Sequence, residues 1–374
     1  MKKNLLFILL VILLFECKQK PTAMNQQQVD STLTIQYAKG FSIDYFKDYK
    51  RVTVINPWKK NSVYARYYLV SNDSISAPED GQKIIVPLKS IGAASNTHFE
   101  FLCMINELGS ITGICSHNKI YNPIVLKKLK QGKLTDMGDS FSLNFEKVQL
   151  LQPEVVMVSG FNQEDVASKR LIENGIPVLF NNEWMETSLL ARAEWLKFVA
   201  VFYNKESLAD SIFTAIVNNY QANKNKSDKV KTRPTIMVGG NFKGTWYMPG
   251  GNSYMAGLIA DAGGDYFYKS DTTSGSLPLN FEVALNNFKN ADIWIGSSAN
   301  NLDELLSIDE RHGLFKSANN KQVYNFNNRT TPTGGNDFWE SGIAHPDIIL
   351  ADMIKVFHPE IMKEHEFIYV SKLK

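Results

Sequence analysis

The chain has 374 residues, 44% of them hydrophobic and 21% charged, with a formal net charge of only +2. That length exceeds one ordinary hydrophobic core and implies two compact units. The even charge balance excludes the basic field that a nucleic-acid partner would need.

The first seventeen residues read as an export signal. Lys2 and Lys3 supply a basic start, and residues 5–15 form an unbroken apolar run too short to span a bilayer. Cys17 follows directly, which resembles a bacterial lipoprotein signal, where this cysteine is lipidated and becomes the first mature residue. The other reading is an ordinary secretory signal with an incidental cysteine. Several acyl chains would give stable membrane anchoring, and residues 18–30, rich in Gln and Lys, would form a flexible tether. Beyond Cys17 only Cys103 and Cys115 remain. They read as two buried thiols, although an exported protein also permits a bridge between them.

Residues 31–80 are β-rich. Runs of β-branched and aromatic residues at 32–37, 51–55 and 63–70 are separated by Lys39-Gly40, Asn56-Pro57 and Asn72-Asp73 turns. Residues 84–87 then open an alternation of strands and helices that runs to about Phe180, marking a lobe at 81–182. Its helices are predicted over 97–108, closed by Gly109, over 123–131 and over 164–174. Its strands are predicted over 111–115, 135–137, 155–158 and 176–180. A strandless helical linker, 183–228, follows and ends in a polar, basic stretch. The alternation restarts at 234–238 and continues through helix 253–262, strand 293–295, helix 302–306, strand 322–325 and helix 347–357, a second lobe at 229–374. The fold class is therefore α/β: two parallel-sheet α/β lobes joined by a long helix, with an extra N-terminal β-rich segment.

One tetrapeptide occurs twice, as Leu143-Asn144-Phe145-Glu146 and Leu279-Asn280-Phe281-Glu282. Each copy reads as an exposed acid opening a helix that leads into a buried parallel strand. A matched acid on each half suits docking onto a partner that is itself two-fold symmetric. The simpler role for Glu146 and Glu282 is as helix-start carboxylates stabilised by the helix dipole.

Further signatures lie in the second half. They are Trp246-Tyr247-Met248-Pro249-Gly250-Gly251-Asn252-Ser253-Tyr254 leading into a helix, Asp261-Ala262-Gly263-Gly264, Asn336-Asp337-Phe338-Trp339-Glu340-Ser341-Gly342, Pro346-Asp347, and His358-Pro359-Glu360. Their order and spacing, over roughly residues 84–360, resembles the substrate-binding proteins of bacterial ABC importers for iron-siderophores, haem and vitamin B12. The resemblance implies two lobes that enclose a ligand and change little on binding, with no enzymatic step. It matches Glu146 and Glu282 to acids that pair with arginines on the two permease subunits. It implies an ABC permease dimer as partner, a monomeric protein, and no resident cofactor or metal. The ligand would be a ferric siderophore or haem. A corrinoid such as vitamin B12 is the alternative, and a surface lipoprotein with no transport role is the rival from another class.

In open α/β units ligands sit at the carboxyl ends of the strands. The loops there nominate Asn96, His98, His117, Tyr121 and Phe141 in the first lobe. They nominate Lys243, Trp246, Tyr247, Arg329, Asn336, Phe338 and Trp339 in the second. Such a cleft is aromatic and polar with few charges, which suits a large planar or chelated ligand held by stacking and hydrogen bonds. Core packing is the competing role for Trp246 and Trp339. His98 and His117 are candidate metal donors in type, yet no His/Cys/Asp cluster has ligand spacing. No dinucleotide glycine spacing and no nucleophile elbow is present, so an enzyme is not expected.

Overall fold

The computed structural model describes residues 28–162, 165–297 and 299–374. The export signal, Cys17 and most of the proposed tether lie outside the described residues. Among the described residues no helix is long and apolar enough to cross a membrane.

The first layer is a five-stranded sheet of Ser31–Thr32, Phe41–Tyr45, Lys50–Ile55, Val63–Val70 and Gln82–Ile85, arranged in chain order. Strand alternation sends Phe41, Ile43, Val52, Val54, Tyr67 and Leu69 to one buried face. The other face carries ion pairs such as Arg51–Asp44 at 2.8 Å. Two elements differ from expectation. Of the run 32–37 only Thr32 joins the sheet, beside Ser31, because the backbone N–H groups of Gln36, Tyr37 and Ala38 donate instead to the Glu194 carboxylate at 2.7 to 3.1 Å. A fully buried carboxylate must be satisfied, and it takes donors that a sheet ladder would otherwise use. Residues 82–85, read as the opening of the first lobe, pair instead in parallel with Val63–Val70.

The first lobe proper starts at Ile91–Ala93. Its sheet is all parallel, in the order Val178–Phe180, Val155–Val158, Ile91–Ala93, Ile111–Ile114, Thr135–Asp136. The helix predicted over 97–108 is Thr97–Met104, because Asn106 rather than Gly109 takes the left-handed turn, at φ 59°. Cys103 and Cys115 are free thiols, and burial pushes Cys115 up to about 12. The second lobe orders its strands Asp265–Tyr266, Thr235–Val238, Ile293–Ile295, Val323–Asn325, Ser371–Lys372, parallel except for the last. An antiparallel flap of Asn241–Phe242, Thr245–Pro249 and Ser276–Leu279 adjoins it.

Between the lobes run two helices, Leu189–Val201 and Glu206–Ser227. All thirteen residues of the first are buried. The N-terminal sheet covers it, with Phe41 packing on Trp195 and Phe198 at 4.8 and 5.7 Å. The helix's three charged residues, Arg192, Glu194 and Lys197, are buried too. Glu194 holds the backbone of 36–38, Lys197 reaches Glu194 at 3.2 Å and Asp210 at 2.9 Å, and Arg192 lies 3.8 Å from Glu183. Pairing offsets part of the cost of burial, which still raises the Glu183 pKa and leaves the Arg192 Nε without a partner. The second helix bridges the two cores. Ala209 belongs to the first, Ile216 and Tyr220 to the second, and Ile212 touches both.

Candidate functional site

The loops at the carboxyl ends of the first lobe's strands converge on a hollow of 240 Å³. Ser95, Thr97, Ser116, Ser140 and Ser159 line it with hydroxyls, Lys119 and Asp139 supply the only charges among the described residues, and Phe141 forms one wall. Trp339 crosses from the second lobe to form another. A second hollow of 390 Å³ lies where the linker meets the second lobe, lined by Trp184, Glu186, Thr187, Ser253, Tyr254 and Ser276 among others. The Trp184 indole donates to the Gly160 carbonyl at 2.9 Å, beside Ser159 of the first hollow, and so joins the two. A larger hollow of 610 Å³ sits near Lys83, Pro153 and Pro177, at the amino ends of the same strands. Ligands of open α/β sheets bind at the opposite end, so that hollow is set aside.

Three of the residues nominated from sequence come together in the first hollow: Asn96, Phe141 and Trp339. Phe141 is 73% exposed and meets Phe161 edge-on at 5.3 Å, and Trp339 is 52% exposed. These are large aromatic surfaces left open to a ligand. Asn96 donates to the Lys119 carbonyl at 2.8 Å, while its buried Oδ1 has no protein partner.

Several others sit elsewhere. Trp246 is fully buried, its indole donates to Val238 at 2.9 Å, and it packs against Trp294 and Phe315 at 5.5 and 5.6 Å. It is a core residue, because the flap turns its even-numbered side chains inward. Tyr247 points the other way and is half-exposed. Lys243 sits at the flap's turn, at φ 52°, with its ammonium 5.3 Å from the Phe242 ring. Phe338 is buried and stacks on Phe326 at 4.2 Å. Asn336 caps the turn that carries it, accepting from the Phe338 N–H at 3.0 Å. His98 lies beneath the cleft floor, fully buried, and burial holds its imidazole at about 3, hence neutral. His117 is exposed and 3.1 Å from Asp136. Among the described residues no group of three or more His, Cys, Asp or Glu could hold a metal ion.

The lobes also meet directly beside Trp339. Glu340 accepts the backbone N–H groups of Tyr121 and Asn122, from the first lobe, at 2.8 and 2.7 Å. Burial raises its pKa to about 7 despite those two bonds. Arg329 donates to the Tyr121 hydroxyl at 3.2 Å and pairs with Asp337 at 3.1 Å. His345 lies 2.9 Å from Glu100 on the first lobe. Sequence reasoning passed over Glu340 and Trp184. Trp184 was within reach, since it follows the carboxyl end of the strand Val178–Phe180.

The paired motif folds alike in both lobes. Asn144 and Asn280 cap their helices by accepting from Lys147 N–H at 3.0 Å and Val283 N–H at 2.9 Å. Glu146 and Glu282 are exposed in the first turn of each helix. This geometry serves a helix-start carboxylate and a docking acid equally well.

A family model described as a periplasmic binding protein matches residues 97–330. The chain is 28% identical over 369 residues to an uncharacterized lipoprotein of Methanocaldococcus jannaschii, covering 91% of this chain and 86% of that one. Its fold is shared by an ABC transporter substrate-binding protein from Listeria monocytogenes, at a TM-score of 0.55 and 16% identity, over 73% of this chain and 100% of that one. A periplasmic haem-binding protein from Roseiflexus sp. RS-1 shares it too, at a TM-score of 0.55 and 13% identity, over 73% and 99%.

Proposed function

The chain belongs to the periplasmic binding protein family, and on that premise we propose that it captures a ferric siderophore between its lobes and hands it to an ABC permease. It is a solute-binding protein, not an enzyme, so its chemistry is binding and release. The observation that carries the reading is the make-up of the two hollows. They offer aromatic faces and many hydroxyls, with Lys119, Asp139 and Glu186 as their charged side chains. Such a surface suits a ligand of small net charge whose rim is rich in hydrogen-bonding groups, held by stacking. A hydroxamate-type ferric chelate has those properties, whereas haem brings two carboxylates to a cleft with one lysine. An iron already enclosed by its chelator also needs no donor from the protein. His98 is sealed below the floor, and the Tyr121 hydroxyl is engaged by Arg329. A corrinoid, amide-fringed and with its metal already coordinated, is the second reading on the same observation.

Glu146 and Glu282 serve in this reading as the docking points, one for each half of a permease dimer. Exposed charges of this kind give orientation and on-rate more than affinity, which suits a reversible hand-off. Cys17 would carry the lipid anchor, a reading supported by the related lipoprotein, and would hold a monomer on the outer side of the membrane.

The test is a titration of the mature protein with a ferric trihydroxamate, haem and cobalamin, followed by tryptophan fluorescence. Trp184 and Trp339 are placed to report. Saturable, submicromolar binding of the trihydroxamate supports the proposal. Binding of cobalamin alone moves the assignment to the corrinoid, and binding of haem alone refutes the charge argument.

A further inference from the structure

The two Leu-Asn-Phe-Glu copies share more than four residues and a cap. In each lobe the motif helix leads into a strand that lies between the lobe's first strand and the strand that follows. These triplets are Ile91–Ala93, Val155–Val158 and Val178–Phe180 in one lobe, and Thr235–Val238, Ile293–Ile295 and Val323–Asn325 in the other, all parallel. The segment connecting the second strand to the third returns to the motif in both cases, and in both it lays an arginine on the motif's phenylalanine. The Arg170 guanidinium, from helix Val166–Glu173, lies 3.9 Å from the centre of the Phe145 ring. The Arg311 guanidinium, from the turn Glu310–Leu314, lies 4.1 Å from the centre of the Phe281 ring. At these distances the planar cation sits directly on the ring face; the Nε and Nη2 edge of Arg311 is also held by the Asp309 carboxylate at 2.7 to 3.2 Å. Both arginines are exposed. Glu282 is close enough to Arg311 that it adds to the effect of Asp309, the larger influence, in raising the guanidinium's pKa.

The same elements also expose apolar side chains. Leu150 is 88% and Val166 77% exposed in the first lobe, and Leu314 is 57% exposed in the second. Aromatic, arginine and aliphatic surface next to an unburied acid is the composition of a contact patch rather than of ordinary solvated surface.

We propose that Arg170 and Arg311 belong to the docking surface, so that each lobe presents a glutamate–arginine doublet and each permease subunit presents the complementary arginine and carboxylate. This rests on the docking reading given above. The partner's two-fold symmetry accounts for the same doublet having been kept in lobes whose strand orders otherwise differ. The phenylalanine fixes the arginine's plane, leaving less side-chain freedom to be lost on contact. A doublet of opposite charges also rejects a partner offering only basic groups, because its arginine would be repelled.

The experiment measures the affinity of the mature protein for the importer's permease dimer in nanodiscs. Arg170→Met with Arg311→Met keeps an unbranched apolar cover over each ring and removes the charge. We expect this pair to weaken docking about a hundredfold, roughly tenfold per lost contact, with ligand affinity and melting temperature unchanged. If Glu146→Gln with Glu282→Gln weakens docking but the arginine pair does not, the arginines are ring covers only and this inference fails while the docking reading stands. If neither pair weakens docking, both fail. Loss of melting temperature in the methionine pair, restored by Arg170→Lys with Arg311→Lys without restored docking, would equally assign them a structural role.

Discussion

Replacing Glu340 by glutamine tests the energetics of the lobe junction. The carboxylate accepts two backbone N–H groups, which favour its charged form, yet burial outweighs them and raises the pKa from 4.5 to about 7. A folded-state value above the unfolded one means that the folded protein binds more protons across that interval. Glu340 therefore contributes stability that is fully present below pH 4.5 and lost as pH rises through 7. The shift corresponds to about 3 kcal/mol, taken as a ceiling because the interior relaxes around a new charge. His98 runs the opposite way. Burial lowers it from 6.5 to about 3, so its contribution is present above pH 6.5 and disappears as pH falls toward 3. The two slopes oppose each other between about pH 4.5 and 6.5. Urea unfolding of the parent and of Glu340→Gln, at half-unit steps from pH 4.5 to 8, separates them. The parent's advantage over the variant should shrink by up to about 3 kcal/mol from the acid end to pH 8. A difference independent of pH would show that the junction carboxylate is solvated and that the reasoning is wrong.

Other outcomes are equally open to measurement. Trp339→Ala removes about half a tryptophan face from the ligand, about 100 Å² or ~2.5 kcal/mol at most; affinity should fall ten- to sixtyfold with little change in melting temperature, and unaltered affinity would take Trp339 out of the site. Trp246→Phe, by contrast, should lower the melting temperature and leave affinity alone, read from the same two assays. Glu194→Ala orphans three backbone donors and strips Lys197 of one of its two carboxylates, which should cost about 3–5 kcal/mol in denaturant unfolding. Reversing both Glu146 and Glu282 to lysine should abolish transport with ligand affinity intact, and loss of ligand binding in that variant would argue against docking.

The lobes were legible because β-branched runs, glycine stops and asparagine caps punctuate them locally, as at Gly175 and the two motif helices. What failed was whatever depended on distant chain. Trp246 and Tyr247 are adjacent in a strand, so one of them had to face the core. Alternation cannot say which until the flap is packed against Trp294. The run 32–37 has strand composition, but its donors are claimed by Glu194, more than 150 residues away. The helix Leu189–Val201 carries Glu194 and Lys197 one turn apart on a single face, which locally has the character of a solvent-facing one. Only the sheet of the first eighty-odd residues turns that face into an interior. At the cleft, the rule of carboxyl-end loops picked out Asn96, Phe141 and Trp339, which the fold brings together in one hollow. It would have found Trp184 had it been extended to the strand that precedes the linker.

The encased linker helix has a consequence for release. With Leu189–Val201 sealed on every side and Glu206–Ser227 rooted in both cores, the lobes are braced rather than hinged, and the cleft is preorganised. Little ordering remains for the ligand to impose, so tight capture needs few strong contacts. The same stiffness slows escape, because loosening the grip means straining the brace. Unloading then becomes work done from outside. A partner that holds the two lobes at separate points can strain the brace by pulling them apart, and the stiffness that guards the cargo in transit becomes the lever by which it is surrendered.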